Sequence, residues 1–144
     1  MQYAVAMSSE HELIDALVQS AFATMAVLTK VAADHELSLT QLRVLAILSD
    51  RRVRMAELAG HLGLEKSTMS GLVDRAEKRG LLTRAPSASD GRAIDVGLTA
   101  AGDRVAGQIF AAVRSALAPM TQALTGPDQR RLQVLLERAF DVRY

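Results

Sequence analysis

The sequence predicts a mainly α-helical domain that carries one small two-stranded β-hairpin and has long helices at both ends. Three observations support this. Apolar residues recur at helical spacing through most of the chain, and the spacing gives way to alternation only after Gly80. Aromatic residues make up just 3% of the composition, so Leu, Val, Ile, Met and Ala must build the core, a composition that favours helices.

From His11 to about Ala33, a helical stripe of Leu13, Leu17, Ala21, Met25 and Leu28 is broadened by Ile14, Val18 and Phe22. A stripe that wide exceeds what one neighbour covers, so two partners are expected, with a second chain as a candidate. Ser38-Leu39-Thr40-Gln41 fits a capping box. The helix behind it runs to about Ser49 with Leu42, Leu45, Ala46 and Leu48 inward, and Asp50-Arg51-Arg52 reads as a polar break. Arg54–Leu62 reads as a short helix with Met55, Leu58, Ala59 and Leu62 on one face, ended by Gly63. Glu65–Arg79 follows with Met69, Leu72, Val73 and Ala76 inward, and Gly80 stands where a left-handed cap glycine belongs.

Beyond Gly80, Leu81–Ala85 reads as extended and Pro86–Gly91 has a turn composition. Arg92–Leu98 alternates, with Ile94, Val96 and Leu98 on one side, which makes a hairpin. Thr99 is a fitting N-cap for a long helix to about Leu124. Gly126-Pro127-Asp128 supplies a cap, a first-turn proline and an acid near the dipole for a last helix to about Asp141. No repeat, low-complexity tract or linker interrupts this order, so the 144 residues are read as one domain. Arg54–Leu62 and Glu65–Arg79, joined by Gly63-Leu64, have the lengths and turn of a helix-turn-helix. The hairpin with its basic tip sharpens this to a winged helix-turn-helix.

Charged residues are 23% and hydrophobic residues 49%, as in an ordinary globular protein. There is no cysteine, which excludes disulfides, thiolate metal sites and thiol redox sensing, and suits a reducing cytoplasm. No uncharged apolar run reaches the ~18 residues of a membrane helix. The N-terminus also lacks a secretion-signal layout. His11, His35 and His61 fall on separate elements without ligand spacing, so no metal or cofactor is expected. No phosphate loop or nucleophile elbow appears, so no catalytic residue is named and no enzyme is expected. The net charge of +1 hides nine Lys/Arg against five Asp/Glu between Arg51 and Arg92, with eight against eleven elsewhere. A basic middle on an acidic frame points to a polyanion partner.

Three segments carry a family resemblance: L-S-L-T-Q-L-R-V-L-A-I-L from Leu37, M-A-E-L-A-G-H-L-G-L-E-K-S-T-M-S-G-L-V-D-R-A-E-K-R-G-L-L from Met55, and R-A-P-S-A-S-D-G-R-A-I-D-V-G-L-T-A-A-G from Arg84. Together they resemble the multiple antibiotic resistance regulator (MarR) family of winged-helix transcription factors over about Leu13 to Phe140. The Asp90-x-Arg92 wing followed by Leu98-Thr99 is the most specific piece. The resemblance implies a cytoplasmic homodimer, with residues 10–36 and 100–144 as dimerisation helices and 37–99 as the DNA-binding lobe. It further implies a pseudopalindromic double-stranded operator and release by a small molecule, with no membrane role.

On that reading, Ser67, Thr68, Ser70 and Gly71 face away from the Met69–Ala76 stripe and meet the major groove. Small hydroxyls bond base edges and phosphates and let the backbone approach closely. Gly71 departs from the large polar or basic residue common there, and Glu65 from the usual Ser, Asp or Asn. Lys66 and Arg75 are candidate phosphate contacts, with an internal ion pair equally open to Arg75. Asp74 is read as the structural partner of a wing arginine. Arg92 is the candidate for the minor groove, and Asp90 orders the turn that holds it. Arg84 either braces the hairpin or reaches a phosphate. His35 and Arg43 are placed at an effector cavity for a phenolic or other small aromatic compound, with ordinary interface roles as the alternative. The rival function is a protein–protein module, an antirepressor or scaffold, on the same winged-helix fold.

Overall fold

The computed structural model describes residues 2–141, with side chains from Ser9 onward, so Met1 and residues 142–144 of the expected domain lie outside it. Helix α1 (Gln2–Asp34) begins well before His11. Helix α2 (Leu39–Ile47) opens on the predicted capping box: Gln41 N donates to Ser38 Oγ at 3.1 Å, and Ser38 N donates to Gln41 Oε1 at 2.8 Å. Val44 and Ile47 are buried alongside Leu42, Leu45 and Leu48, because α1 and α5 (Ala100–Gln122) both pack on α2.

The segment after the polar break contains a strand the sequence reading missed. Strand β1 (Val53–Arg54) pairs antiparallel with β3 (Ile94–Leu98), Val53 opposite Val96. Strand β2 (Leu82–Pro86) pairs with the other edge of β3, from Leu82 opposite Leu98 to Pro86 opposite Ile94. The sheet is therefore three-stranded in the order β1-β3-β2, where a two-stranded hairpin was expected. A two-residue strand has no period to detect, and Val53 joins the sheet because its side chain is 3% exposed in the core.

Helices α3 (Met55–Leu62) and α4 (Lys66–Lys78) form the helix-turn-helix. Gly63 (φ 63°) follows α3 and Gly80 (φ 74°) follows α4, both left-handed as a glycine permits. Met69, Leu72, Val73 and Ala76 are all buried, which anchors α4 from behind. Near-complete burial of Leu58, Met69, Val73, Leu82, Val96 and Ile109 marks the core shared by helices and sheet.

Only Thr99 separates β3 from α5, and it ties the two to the end of α4. Its amide donates to Leu81 O at 3.0 Å, its hydroxyl donates to Gly80 O at 2.5 Å, and the same hydroxyl accepts from Gly102 N at 3.0 Å. A Cβ on Gly102 would lie 2.0 Å from Leu81 O, so only glycine lets α5 approach this closely. Helix α6 (Gly126–Phe140) is capped by Thr125, whose Oγ1 accepts from Asp128 N at 3.3 Å. Gly126 had been expected as that cap, but it has no side chain to accept with.

The outer parts of the terminal helices are not covered. Leu13, Ile14, Val18, Phe22 and Met25 of α1 are exposed, as are Leu132, Val134, Leu135, Leu136 and Phe140 of α6, which has no buried residue. By length and composition alone, Ser9–Asp34 is apolar enough to cross a membrane, although Asp15 and Lys30 interrupt it.

Candidate nucleic-acid interface

Helix α4 lies beside the wing, and the two enclose an open cleft of about 700 Å³. Lys66, Ser70 and Asp74 line it from α4, Arg84 from β2, and Asp90, Arg92 and Ile94 from the loop and β3. Arg54, which the sequence reading left unassigned, lines it from β1. The cleft thus gathers four basic side chains against two acids. Ser67, Thr68 and Arg75 are exposed elsewhere on α4, and Gly71 is half-buried among them.

Asp74 and Arg84 are bound to each other: Arg84 Nη1 lies 2.6 Å from Asp74 Oδ1 and 3.4 Å from Glu77 Oε2. Arg84 Nη2 also donates to Ser70 O at 3.3 Å. The Arg84 side chain is 26% exposed, and its guanidinium is engaged by α4. This fastens the wing to α4 by its first strand. Arg92 is exposed at the wing tip, where its amide donates to Asp90 Oδ1 at 3.1 Å, so Asp90 shapes the turn that carries it.

Gly71 is not demanded by packing. The nearest atom to a Cβ there is Arg75 Nη1 at 3.6 Å, ordinary contact distance. The guanidinium of Arg75 folds back along α4 and lies over the bare backbone, bringing a cation to the place where a longer side chain would otherwise stand. Glu65 has the backbone of an N-cap but makes no side-chain cap bond.

His35 and Arg43 are held by different parts of the chain. His35 Nδ1 lies 3.0 Å from Val31 O, while Arg43 Nη2 donates to His61 O at 3.3 Å. Each is engaged with a separate backbone carbonyl, and neither lines the cleft between α4 and the wing. Arg54 escaped sequence reasoning because its partner is distant: Nη2 donates to Ser89 Oγ at 2.6 Å, 35 residues along the chain. The available signal was an arginine at a helix start where a capping hydroxyl is usual.

A helix pair backed by a core, a hairpin standing beside its second helix and long terminal helices define a winged helix-turn-helix protein. A model of the MarR family matches residues 35–93 of this chain. It is 36% identical over 83 residues to the HTH-type transcriptional repressor Rv2887 of Mycobacterium tuberculosis, a match covering 58% of this chain and 60% of that relative. The crystal structure of RV1404 from Mycobacterium tuberculosis superposes with a TM-score of 0.78 at 25% identity, over 94% of this chain and 97% of that one. NadR in complex with 4-hydroxyphenylacetate gives a TM-score of 0.75 at 22% identity, over 89% and 92% of the two chains.

Proposed function

We propose that this chain is a transcriptional repressor that binds a pseudopalindromic operator as a homodimer in the cytoplasm. Helix α4 enters the major groove with Ser67, Thr68, Ser70 and Gly71, and the wing lies over the adjacent minor groove with Arg92. Lys66 and Arg75 meet phosphates. The observation that carries this reading is the pairing of an outward face of small polar groups on α4 with a basic cleft against the wing. Small side chains allow close approach, and the cations supply the salt-dependent part of the affinity. The match of residues 35–93 to the MarR family model and the similarity to a repressor support the same reading.

The uncovered apolar faces of α1 and α6 support a dimer built from the terminal helices, since a monomer rarely exposes so many neighbouring apolar side chains. Two-fold symmetry then sets the two α4 helices about 34–36 Å apart, one DNA turn. A small aromatic acid at the junction of terminal helices and DNA lobe is the proposed release signal, with His35 and Arg43 as its polar contacts. Its binding would shift the population toward a spacing that no longer fits the operator.

The test is binding to a labelled fragment upstream of the chain's own gene at two salt concentrations, for wild type and Arg92→Ala. Sequence-selective binding that Arg92→Ala weakens is the expected result. No selective binding at low salt defeats this reading and favours the protein–protein module. Thermal-shift screening with 4-hydroxyphenylacetate and other small aromatic acids tests the effector, and a set of compounds with no shift removes it.

A further inference from the structure

Arg54 occupies the N-cap position of α3, with φ −62° and ψ 142°, yet it makes no capping bond. Ser, Thr, Asp or Asn at that position would satisfy a free amide of the helix. Its guanidinium instead crosses to the wing and donates to Ser89 Oγ at 2.6 Å. With one lone pair of Ser89 accepting from Arg54, the Ser89 hydroxyl proton is free for Ser87 Oγ, 3.1 Å away. Ser87 is 7% exposed, and its amide donates to Ala93 O at 2.9 Å across the neck of the loop. On the other side of the loop, Ala93 N donates to Asp90 O at 3.0 Å and Arg92 N to Asp90 Oδ1 at 3.1 Å.

These bonds form a continuous chain from Arg54 to the backbone of Arg92. The loop needs such a tether, because the sheet ladder stops at Pro86 opposite Ile94 and the intervening residues have no strand partner. Arg54 is a firm base for it, since its own backbone pairs with Asp95 in the β1–β3 ladder.

We infer that Arg54 is the positioning residue of the wing: it fixes Ser89, and through Ser89 and Ser87 the loop that presents Arg92, while α3 goes uncapped. The consequence for binding rests on the proposed role of Arg92, but the ordering of the wing does not. The same side chain also lines the cleft, so direct contact with a DNA phosphate is the competing role that the test must separate.

The experiment uses the full chain as wild type, Arg54→Ser, Ser89→Ala and the double variant. Arg54→Ser supplies a capping hydroxyl, so α3 is kept and loss of fold does not confound the result. In the absence of DNA, tryptic cleavage after Arg92, followed by mass spectrometry, and amide exchange at Ala93 report the order of the wing. Both single variants are expected to accelerate both signals about tenfold, the effect of losing one charged hydrogen bond, and the double variant no further. With DNA, affinity falls by a similar factor while the salt slope stays that of wild type. Unchanged cleavage and exchange in Arg54→Ser overturns the inference, and so does an effect of Arg54→Ser that Ser89→Ala fails to reproduce. A salt slope smaller by ~0.9 with an undisturbed wing reassigns Arg54 to a phosphate. If the wild type binds no DNA, the repressor reading fails, and the cleavage and exchange results still decide the role of Arg54.

Discussion

Arg79, just past α4, donates from Nη1 to the Glu36 carbonyl at 2.8 Å and from Nη2 to the His35 carbonyl at 3.3 Å. Glu36 has φ 58°, a left-handed conformation in the turn between α1 and α2 that glycine adopts more readily. The end of the helix-turn-helix therefore holds a strained turn at the base of the terminal helix. Arg79→Ala should lower stability by about 1 kcal/mol, because both bonds are solvent-exposed. Glu36→Gly should raise it by a comparable amount, about 1 kcal/mol, by relieving the backbone. Urea denaturation midpoints of the two variants check both signs.

Gly71→Ala separates helix stability from groove contact. A Cβ meets only Arg75 Nη1 at 3.6 Å, so alanine should stabilise α4 by about 1 kcal/mol. If the bare backbone sits against DNA, operator affinity falls in the same variant. Urea unfolding and DNA titration on one preparation should move in opposite directions.

Gly102→Ala should be among the most damaging small substitutions in the protein. Its Cβ would meet Leu81 O at 2.0 Å, a backbone atom fixed by its bond to the Thr99 amide. A loss of about 3 kcal/mol or more is expected, read as a lowered thermal midpoint or as insoluble expression.

Arg84 and Arg92 should behave differently on DNA although both are wing arginines. The guanidinium of Arg84 is engaged by Asp74, so Arg84→Ala should weaken binding without changing the salt slope. Arg92→Ala should reduce that slope by ~0.9 if the side chain neutralises one phosphate. Titrations across a salt series distinguish the two, and a reduced slope for Arg84→Ala would return Arg84 to the phosphate contacts.

The apolar face of α1 gives a test of assembly. Phe22 is 64% exposed, so Phe22→Asp should leave the isolated fold intact while placing a charge in the proposed dimer interface. Sedimentation velocity should show a monomer where wild type sediments as a dimer, with operator affinity lost in parallel.

Much of this architecture could be read from local pattern. The Met69–Ala76 stripe sets which face of α4 is buried, and so which face is left for a ligand. The Ser38–Gln41 box and the glycines at 63 and 80 mark where helices start and stop. These signals are legible because they depend on neighbours within one or two turns of chain. Strand β1 was missed because Val53 and Arg54 pair with residues more than 40 positions away and are too few to show a period. The bonds from Arg54 to Ser89 and from Arg79 to Glu36 were hidden for the same reason. The ion pair at Arg84 was only half legible: Asp74 was expected to find a wing arginine, but nothing in the sequence said that the pairing would turn the guanidinium toward α4.

Thr99 and Gly102 have a mechanical consequence. Because β3 runs into α5 through one residue locked onto Gly80 and Leu81, wing and helix cannot swivel independently. Helix α5 has 23 residues and is therefore about 34 Å long. It behaves as a lever with Gly102 at the fulcrum. A tilt of about 5° moves its far end by about 3 Å, close to the rise of one base pair. Any such tilt of the far end is passed to the wing and the end of α4 as a rotation through the same angle.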